Sequence, residues 1–357
     1  MSTIPIKNVY YMLVYVFEML RSKEYARLAR EDCKDIYDLL ASLLLCGTND
    51  LIKRGFLKNY INQTEELTAI RGRINISGSI RRLSFQNAKA VCDFDEFSAD
   101  IYFNQVIKTT LLCLKSRSSN TNIKRDISKI LLYFNEIGSM EISAIKWDTF
   151  IFNRNNTHYD ALLYFCRLVC EEAVANQNKG EKIFRVLEEK LLPELFERFV
   201  CKFYRKHLSS EYNVRHQKQI AWNYDENYDK PPNMYADVII ENKTQKLIID
   251  TKFSKTTLQK NLYNDKQTVK SNNLYQIFAY VINENTPKKI ISGLLLYPQI
   301  DDRPADIKHS IFGHNFYVRT VNLNQSFEEI KNELQNNLRD IFVGIKYEEW
   351  NRKQHDF

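Results

Sequence analysis

Tyr235-Ala236-Asp237-Val238-Ile239-Ile240 and Leu247-Ile248-Ile249-Asp250-Thr251-Lys252 decide how this chain reads. Both are short apolar runs rich in β-branched residues, the composition of strands buried on two faces. The four residues Asn242 to Gln245 between them are of hairpin length. A hairpin symmetric about residues 243 and 244 sets Asp237 directly opposite Asp250, with Cβ atoms about 5 Å apart on one face. Lys252, two residues past Asp250, shares that face. Two carboxylates so close repel each other unless a cation lies between them. Mg²⁺, or Mn²⁺ in its place, fits that position, because it takes oxygen ligands and keeps several waters. Such an ion activates water and neutralises charge on a phosphate oxygen, and Lys252 orients the water or stabilises the charged transition state. The spacing therefore points to phosphodiester hydrolysis, with a structural Asp250–Lys252 ion pair as the alternative.

The tripeptide alone carries nothing. Acid-x-Lys recurs at Glu188/Lys190, Glu241/Lys243, Asp306/Lys308 and Glu329/Lys331, where solvated pairs are expected. The Asp250 copy differs by ending a Leu-Ile-Ile run and by having a second Asp in register. Downstream, Gln276 and Tyr280 stand at i, i+4 and share a helix face. The preceding loop holds Lys255, Lys260, Lys266 and Lys270 against Asp265. Lysines there suit phosphate contacts, which position a nucleic acid without specifying its sequence. A plain solvated loop is the alternative.

Around this centre the chain reads as α/β. Helices are expected at about 9–20, 37–45, 100–115, 123–137, 158–175, 187–208 (broken near Pro193), 274–283 and 326–343. Short strands and turns are expected over 51–95, and strands near 213–222, 235–241, 246–252 and 290–297. The polar stretch Asn176 to Glu181 is the expected linker. It divides an N-terminal domain, 1–178, of helices plus a small β region from a C-terminal domain, 179–357, with a mixed central sheet flanked by helices. A length of 357 residues suits two domains.

The formal charge of +7 permits a polyanionic partner without requiring one. Seven cysteines without a CxxC pair read as reduced core thiols of a cytoplasmic protein, and no His/Cys spacing suggests zinc. The run Val9 to Phe17 is too short and Tyr-rich for a signal peptide, and no apolar stretch is long enough to span a membrane.

A set of ordered segments adds a resemblance. They are Ile4-Pro5-Ile6-Lys7-Asn8-Val9-Tyr10-Tyr11-Met12-Leu13, Arg71-Gly72-Arg73-Ile74 with Ser79-Ile80-Arg81, and Asn104-Gln105-Val106-Ile107-Lys108. Leu195-Phe196-Glu197-Arg198-Phe199-Val200, Ile249-Asp250-Thr251-Lys252-Phe253, Asn273-Leu274-Tyr275-Gln276 and Gly293-Leu294-Leu295-Leu296-Tyr297-Pro298 follow. In this order the chain resembles the McrC family, the nuclease subunit of the McrBC modified-cytosine (type IV) restriction system. The resemblance implies a C-terminal PD-(D/E)xK nuclease fold, with Asp237 and Asp250 holding the metal, Lys252 assisting, and Glu197 adding a third acid from a helix. Ala236 stands where the family often has Pro or Thr. Nucleases of this class often carry a Gln-x3-Tyr pair after the Lys strand, which Gln276 and Tyr280 match.

The resemblance also implies partners: a hexamer of an McrB-like AAA+ GTPase, whose hydrolysis the subunit stimulates, and double-stranded DNA with modified cytosine. The chain has no G-x4-G-K-[ST] loop of its own. By the same resemblance the N-terminal domain couples to the partner, with Arg71 and Arg73 at a basic tip and Arg81 and Arg82 nearby, while Lys255 and Lys260 meet DNA. The rival expectations are a non-catalytic adaptor that only activates an AAA+ partner, and a nuclease subunit of a related system reading an unmodified site.

Overall fold

The computed structural model describes residues 4–18, 36–178, 192–224, 229, 231–254, 258–260, 267–284, 288–299 and 304–342. The chain forms two compact units, Cys33–Ile183 and Met1–Asp32 with Phe184–Phe357.

Helix α1 (Ile6–Val16) opens the chain. The expected N-terminal domain, 1–178, includes it, but its packing places it with the C-terminal unit. Asn8 Nδ2 donates to the carbonyls of Leu323 (2.8 Å) and Gln325 (2.9 Å). The Tyr11 ring stacks on Phe327 at 4.8 Å. The apolar face of α1 is buried from Val9 to Val16, and a lone amphipathic helix has to find such a surface wherever the fold offers one.

The middle unit contains α2 (Ile36–Arg54), β1 (Asn59–Leu67), β2 (Arg73–Ile74), α3 (Ile76–Arg81), β3 (Ala90–Ser98), α4 (Tyr102–Arg117), α5 (Thr121–Leu131) and α6 (His158–Asn178). Helices α2, α4, α5 and α6 pack together, burying Leu40, Leu44, Leu111 and Phe165. The strands form an antiparallel sheet in the order β1-β3-β2. Gly72 makes the turn into β2 with φ +66°, and a Cβ there would lie 2.5 Å from the Asp93 carbonyl. Only glycine fits such a site. Asn176, Gln177 and Asn178, expected in a linker, continue α6 instead; residues 179–191 lie outside the described set.

The C-terminal unit is built on a mixed six-stranded sheet. Its strands are β4 (Asn213–Ile220), β5 (Met234–Glu241), β6 (Gln245–Thr251), β9 (Ile290–Gln299), β10 (Asp306–Ile311) and β11 (His314–Asn322), ordered β10-β11-β9-β6-β5-β4. β9 runs parallel to β6 and β11, and the other pairs are antiparallel. Helix α7 (Leu192–His207) precedes the sheet, with Pro193 in its first turn, where no N–H is needed. α8 (Ser271–Asn283) packs on β9 and β6, and α9 (Phe327–Arg339) packs on β11 behind a Ser326/Glu329 capping box.

Ile277, Tyr280 and Val281 of α8 share one core with Ile239, Ile248, Leu295 and Phe316. Gly293 lets α8 approach closely, since a Cβ there would come within 2.8 Å of Ile277 Cγ1. Helix α7 packs on β4, β5 and β6 from the other side. The expected basic loop at 254–273 contains a two-stranded ribbon, β7 (Leu258–Lys260) with β8 (Gln267–Val269), and gives way to α8 at Ser271. The β10–β11 hairpin was not expected. No helix among the described residues is long and apolar enough to cross a membrane.

Candidate active site

The β5–β6 ladder runs from Glu241↔Lys246 to Val238↔Ile249. Asn242 holds the connection: its N–H donates to the Gln245 carbonyl (3.0 Å), and its Oδ1 accepts the N–H groups of Thr244 (2.9 Å) and Gln245 (2.7 Å). An Asx side chain that satisfies the turn's backbone in this way fixes the register. Continuing that register sets Asp237 across from Asp250.

One expectation needs correcting. Asp237 does not simply rise from the face beside Asp250. Its Oδ2 accepts the backbone N–H of Thr251 at 2.7 Å and the Thr251 hydroxyl at 2.8 Å. Strand N–H groups lie in the plane of the sheet, so this carboxylate takes the place of a ladder carbonyl. Thr251 was missed as a site residue, although its position between Asp250 and Lys252 was visible.

Asp250 is 1% exposed. Lys252 Nζ lies 2.8 Å from its Oδ2, yet that oxygen receives no well-directed hydrogen bond. The ammonium is shared: Lys252 Nζ also donates to Gln276 Oε1 at 2.8 Å, and Gln276 Nε2 donates to the Tyr280 hydroxyl at 2.7 Å. One turn earlier on α8, Asn273 Nδ2 donates to the Tyr297 hydroxyl at 2.8 Å. The structure thus brings Asp237, Asp250, Lys252, Gln276 and Tyr280 together at one end of the hairpin.

Both aspartates hold their protons abnormally well. Burial, the Asp250 charge and the Glu197 charge raise Asp237 to about 7 against the pull of its Thr251 hydrogen bonds. Burial raises Asp250, Lys252 pulls it back, and Glu197 adds to the rise. Burial is also the main reason the Tyr280 phenol is raised. Glu197 reaches this field from α7, where its Oε1 lies 2.8 Å from His216 Nε2 and accepts Gln217 Nε2 at 3.2 Å. Among the described residues no three His, Cys, Asp or Glu side chains close into a metal-holding group. Two carboxylates suffice for Mg²⁺, which retains waters in its remaining positions. The incompletely satisfied, buried Asp250 Oδ2 and the mutual repulsion of two aspartates fit a divalent cation.

The other expected site residues are placed as follows. Arg71 and Arg73 are exposed on the middle unit, flanking the Gly72 turn, and the Arg71 guanidinium lies 4.2 Å over the Phe94 ring. Arg81 and Arg82 are exposed at the end of α3. Lys255 lies outside the described residues, and Lys260 is placed by its backbone in β7. Lys270 precedes α8 and donates to Ser254 Oγ at 3.2 Å. Glu241, expected in a solvated pair, is instead enclosed by Arg215, Lys246 and Lys289.

Comparison with known proteins places the chain in a family. The type IV methyl-directed restriction enzyme EcoKMcrBC of Escherichia coli (strain K12) is 29% identical over 343 residues, covering 93% of this chain and 96% of that protein. A chain of the refined half-complex from the tetradecameric assembly of Thermococcus gammatolerans McrB AAA+ hexamers with bound McrC shares the fold. Its TM-score is 0.53 at 14% identity, over 95% of this chain and 76% of that one. The family model described as McrBC 5-methylcytosine restriction system component matches residues 6–298, most of the chain, which therefore belongs to that family.

Proposed function

We propose that this chain is the endonuclease subunit of a modification-dependent, type IV restriction complex, and that its C-terminal unit is a PD-(D/E)xK nuclease. The observation that carries the reading is the buried Asp250 across from the half-buried Asp237, with Lys252 Nζ 2.8 Å from Asp250 Oδ2 and both carboxyls pushed toward the protonated form. Asp237 and Asp250 would hold Mg²⁺ or Mn²⁺, with Glu197 contributing charge from α7. When bound, the ion lowers the pKa of a coordinated water and offsets charge on a phosphate oxygen.

The chain's own groups supply orientation and a fixed charge. Thr251 holds Asp237 in place through two hydrogen bonds. Gln276 accepts a hydrogen bond from the Lys252 ammonium and is itself fixed by Tyr280. Lys252 is then pre-oriented to stabilise negative charge as the phosphodiester is attacked, at no reorganisation cost. The tight packing of α8 on Gly293 keeps Gln276 at its distance.

Two partners complete the reading: an McrB-like AAA+ GTPase hexamer, whose hydrolysis the subunit stimulates, and double-stranded DNA carrying modified cytosine. The chain's similarity to the methyl-directed EcoKMcrBC over nearly its whole length supports the DNA partner, and the fold it shares with a chain of the McrB AAA+ hexamer assembly with bound McrC supports the hexamer. Coupling to the GTPase falls to the middle unit, where Arg71 and Arg73 offer exposed guanidinium groups to an acidic or phosphate surface. Lys255 and Lys260 are the DNA-phosphate contacts.

The test combines the full chain with its cognate AAA+ GTPase, GTP, Mg²⁺ and plasmids with or without methylated cytosine. Wild type is expected to cut the methylated plasmid, and Asp250→Ala to cut neither while still stimulating GTP hydrolysis. Cutting by Asp250→Ala would sink the site assignment. A wild type that stimulates GTP hydrolysis and cuts nothing would make the chain an adaptor.

A further inference from the structure

β4 and β5 keep one antiparallel register throughout, from Asn213↔Glu241 to His216↔Val238 and again from Lys218↔Ala236 to Ile220↔Met234. The gap falls where Gln217 and Asp237 would pair. Gln217 has φ +46°. Among the described non-glycine residues with positive φ, Glu18, Leu83, Ala88 and Phe312 lie at turns or 3-10 helix ends, and Gln217 alone lies inside a strand. The left-handed region is costly for an L-residue, and glutamine has none of glycine's freedom there.

The side chains show what this step does. In a regular strand residues 216 and 218 share a face. Here His216 Nε2 lies 2.8 Å from Glu197 on α7, whereas Lys218 Nζ donates at 2.9 Å to Glu284, just past α8 on the other side of the sheet. On β5, Ala236 and Ile239 are three residues apart and should face opposite ways, yet both belong to the core under α8. Each strand therefore switches face once, β4 at Gln217 and β5 at Asp237, and the two switches compensate so that the register survives. Asp237 is left outside both ladders, because pairing with β6 also stops at Val238↔Ile249.

We infer that the left-handed step at Gln217 is a positioning device: it turns Asp237 out of both ladders and lays its carboxylate in the sheet plane, against Thr251 and beside Asp250. The inference rests on the nuclease reading for its purpose, and on geometry alone for its existence. Irregular residues in strands next to active sites re-aim side chains, and strained backbone persists where the surroundings over-determine it. The Gln217 side chain also bonds Glu197 at 3.2 Å, so the backbone and side-chain contributions have to be separated.

Full-length Gln217→Gly, Gln217→Asn and Gln217→Val separate them. Glycine and asparagine accept a left-handed φ, and valine resists it. Two readouts are needed: hydrogen exchange of the Thr251 amide in metal-free protein, and Mn²⁺ affinity by calorimetry. The glycine and asparagine variants should stay within about twofold of wild type in both. The valine variant, folded by its melting curve, should exchange Thr251 about tenfold faster and bind Mn²⁺ about tenfold more weakly. If valine prevents folding, Gln217→Ala should show a smaller change in the same direction. Wild-type exchange and affinity in the valine or alanine variant would overturn the inference. So would a glycine variant as impaired as valine, which would make the bond to Glu197 the operative part. A wild type that binds no Mn²⁺ defeats the nuclease reading alone, and Thr251 exchange still decides whether Gln217 holds Asp237.

Discussion

Around the closed end of the β5–β6 hairpin, Glu241 and Glu284 are surrounded by Arg215, Lys218, Lys246 and Lys289. At the open end, Asp250 has Lys252, Asp237 has only its hydrogen bonds from Thr251, and Glu197 adds a further negative charge. Burial pushes all four carboxyls toward the protonated form. At the closed end, hydrogen bonds and charge from lysine more than reverse the push, leaving Glu241 and Glu284 lowered. At the open end nothing reverses it, and both aspartates stay raised. One hairpin thus contains a charge cluster complete without a ligand and another short of positive charge. On the proposed reading only the second would take a cation, so the balance of charge, and not the presence of acid and lysine, separates a structural network from a candidate site.

The largest expected effect breaks the open end. Asp237→Asn should lower plasmid cutting by about a thousandfold, the worth of several kcal/mol of charge stabilisation. The same change should raise the melting temperature of the metal-free protein at pH 7.5, because it removes a half-buried charge beside the like charges of Asp250 and Glu197. At the closed end the sign reverses. Glu284→Ala leaves Lys246, only 5% exposed, with Glu241 alone at 3.5 Å. It should cost roughly 3 kcal/mol in urea unfolding, the typical result of breaking a buried pair.

Folding raises Asp237 to about 7, so the native state binds more protons than the unfolded chain between the ordinary aspartate range and about 7. Stability from this group therefore falls as pH rises through that window. Glu241 and Glu284 are lowered on folding, so their stabilisation is present above the ordinary glutamate range and lost as pH falls from that range through their lowered values. Melting curves from pH 4 to 8 for wild type, Asp237→Asn and Glu284→Gln should differ in opposite directions. Parallel curves would erase the distinction between the two ends.

A smaller effect tests the support of Lys252. Gln276→Ala removes its 2.8 Å acceptor and the link to Tyr280. Cutting should fall about tenfold, the rate equivalent of one lost hydrogen bond to a charged group, with unfolding free energy changed by less than about 1 kcal/mol.

Much of the open end was legible in the sequence because its determinants are local. Asn242 sets a short connection, the apolar runs fix which strands are buried, and together they put Asp237 across from Asp250. Helix periodicity put Gln276 and Tyr280 on one face, and the resemblance to nucleases with a Gln-x3-Tyr pair singled them out. What escaped depends on distant partners or on backbone that no composition marks. The left-handed Gln217 sits in an ordinary strand sequence. The β10–β11 turn is made by Phe312 and Gly313, both with positive φ, in place of the Asn-Gly pair that normally announces such a turn. The placement of α1 is decided by Leu323, Gln325 and Phe327, some three hundred residues away. The fate of Glu241 depends on Arg215 and Lys289, which no local pattern ties to it.

On the proposed reading the open end of the hairpin is short of a cation that Asp237 and Asp250 would hold. Calorimetric titration of the full chain with Mn²⁺ at pH 7.5, wild type beside Asp237→Asn and Asp250→Asn, tests it most directly. Saturable binding by wild type, lost in both variants, is the expected result. Equal binding by all three, or none by wild type, would contradict it.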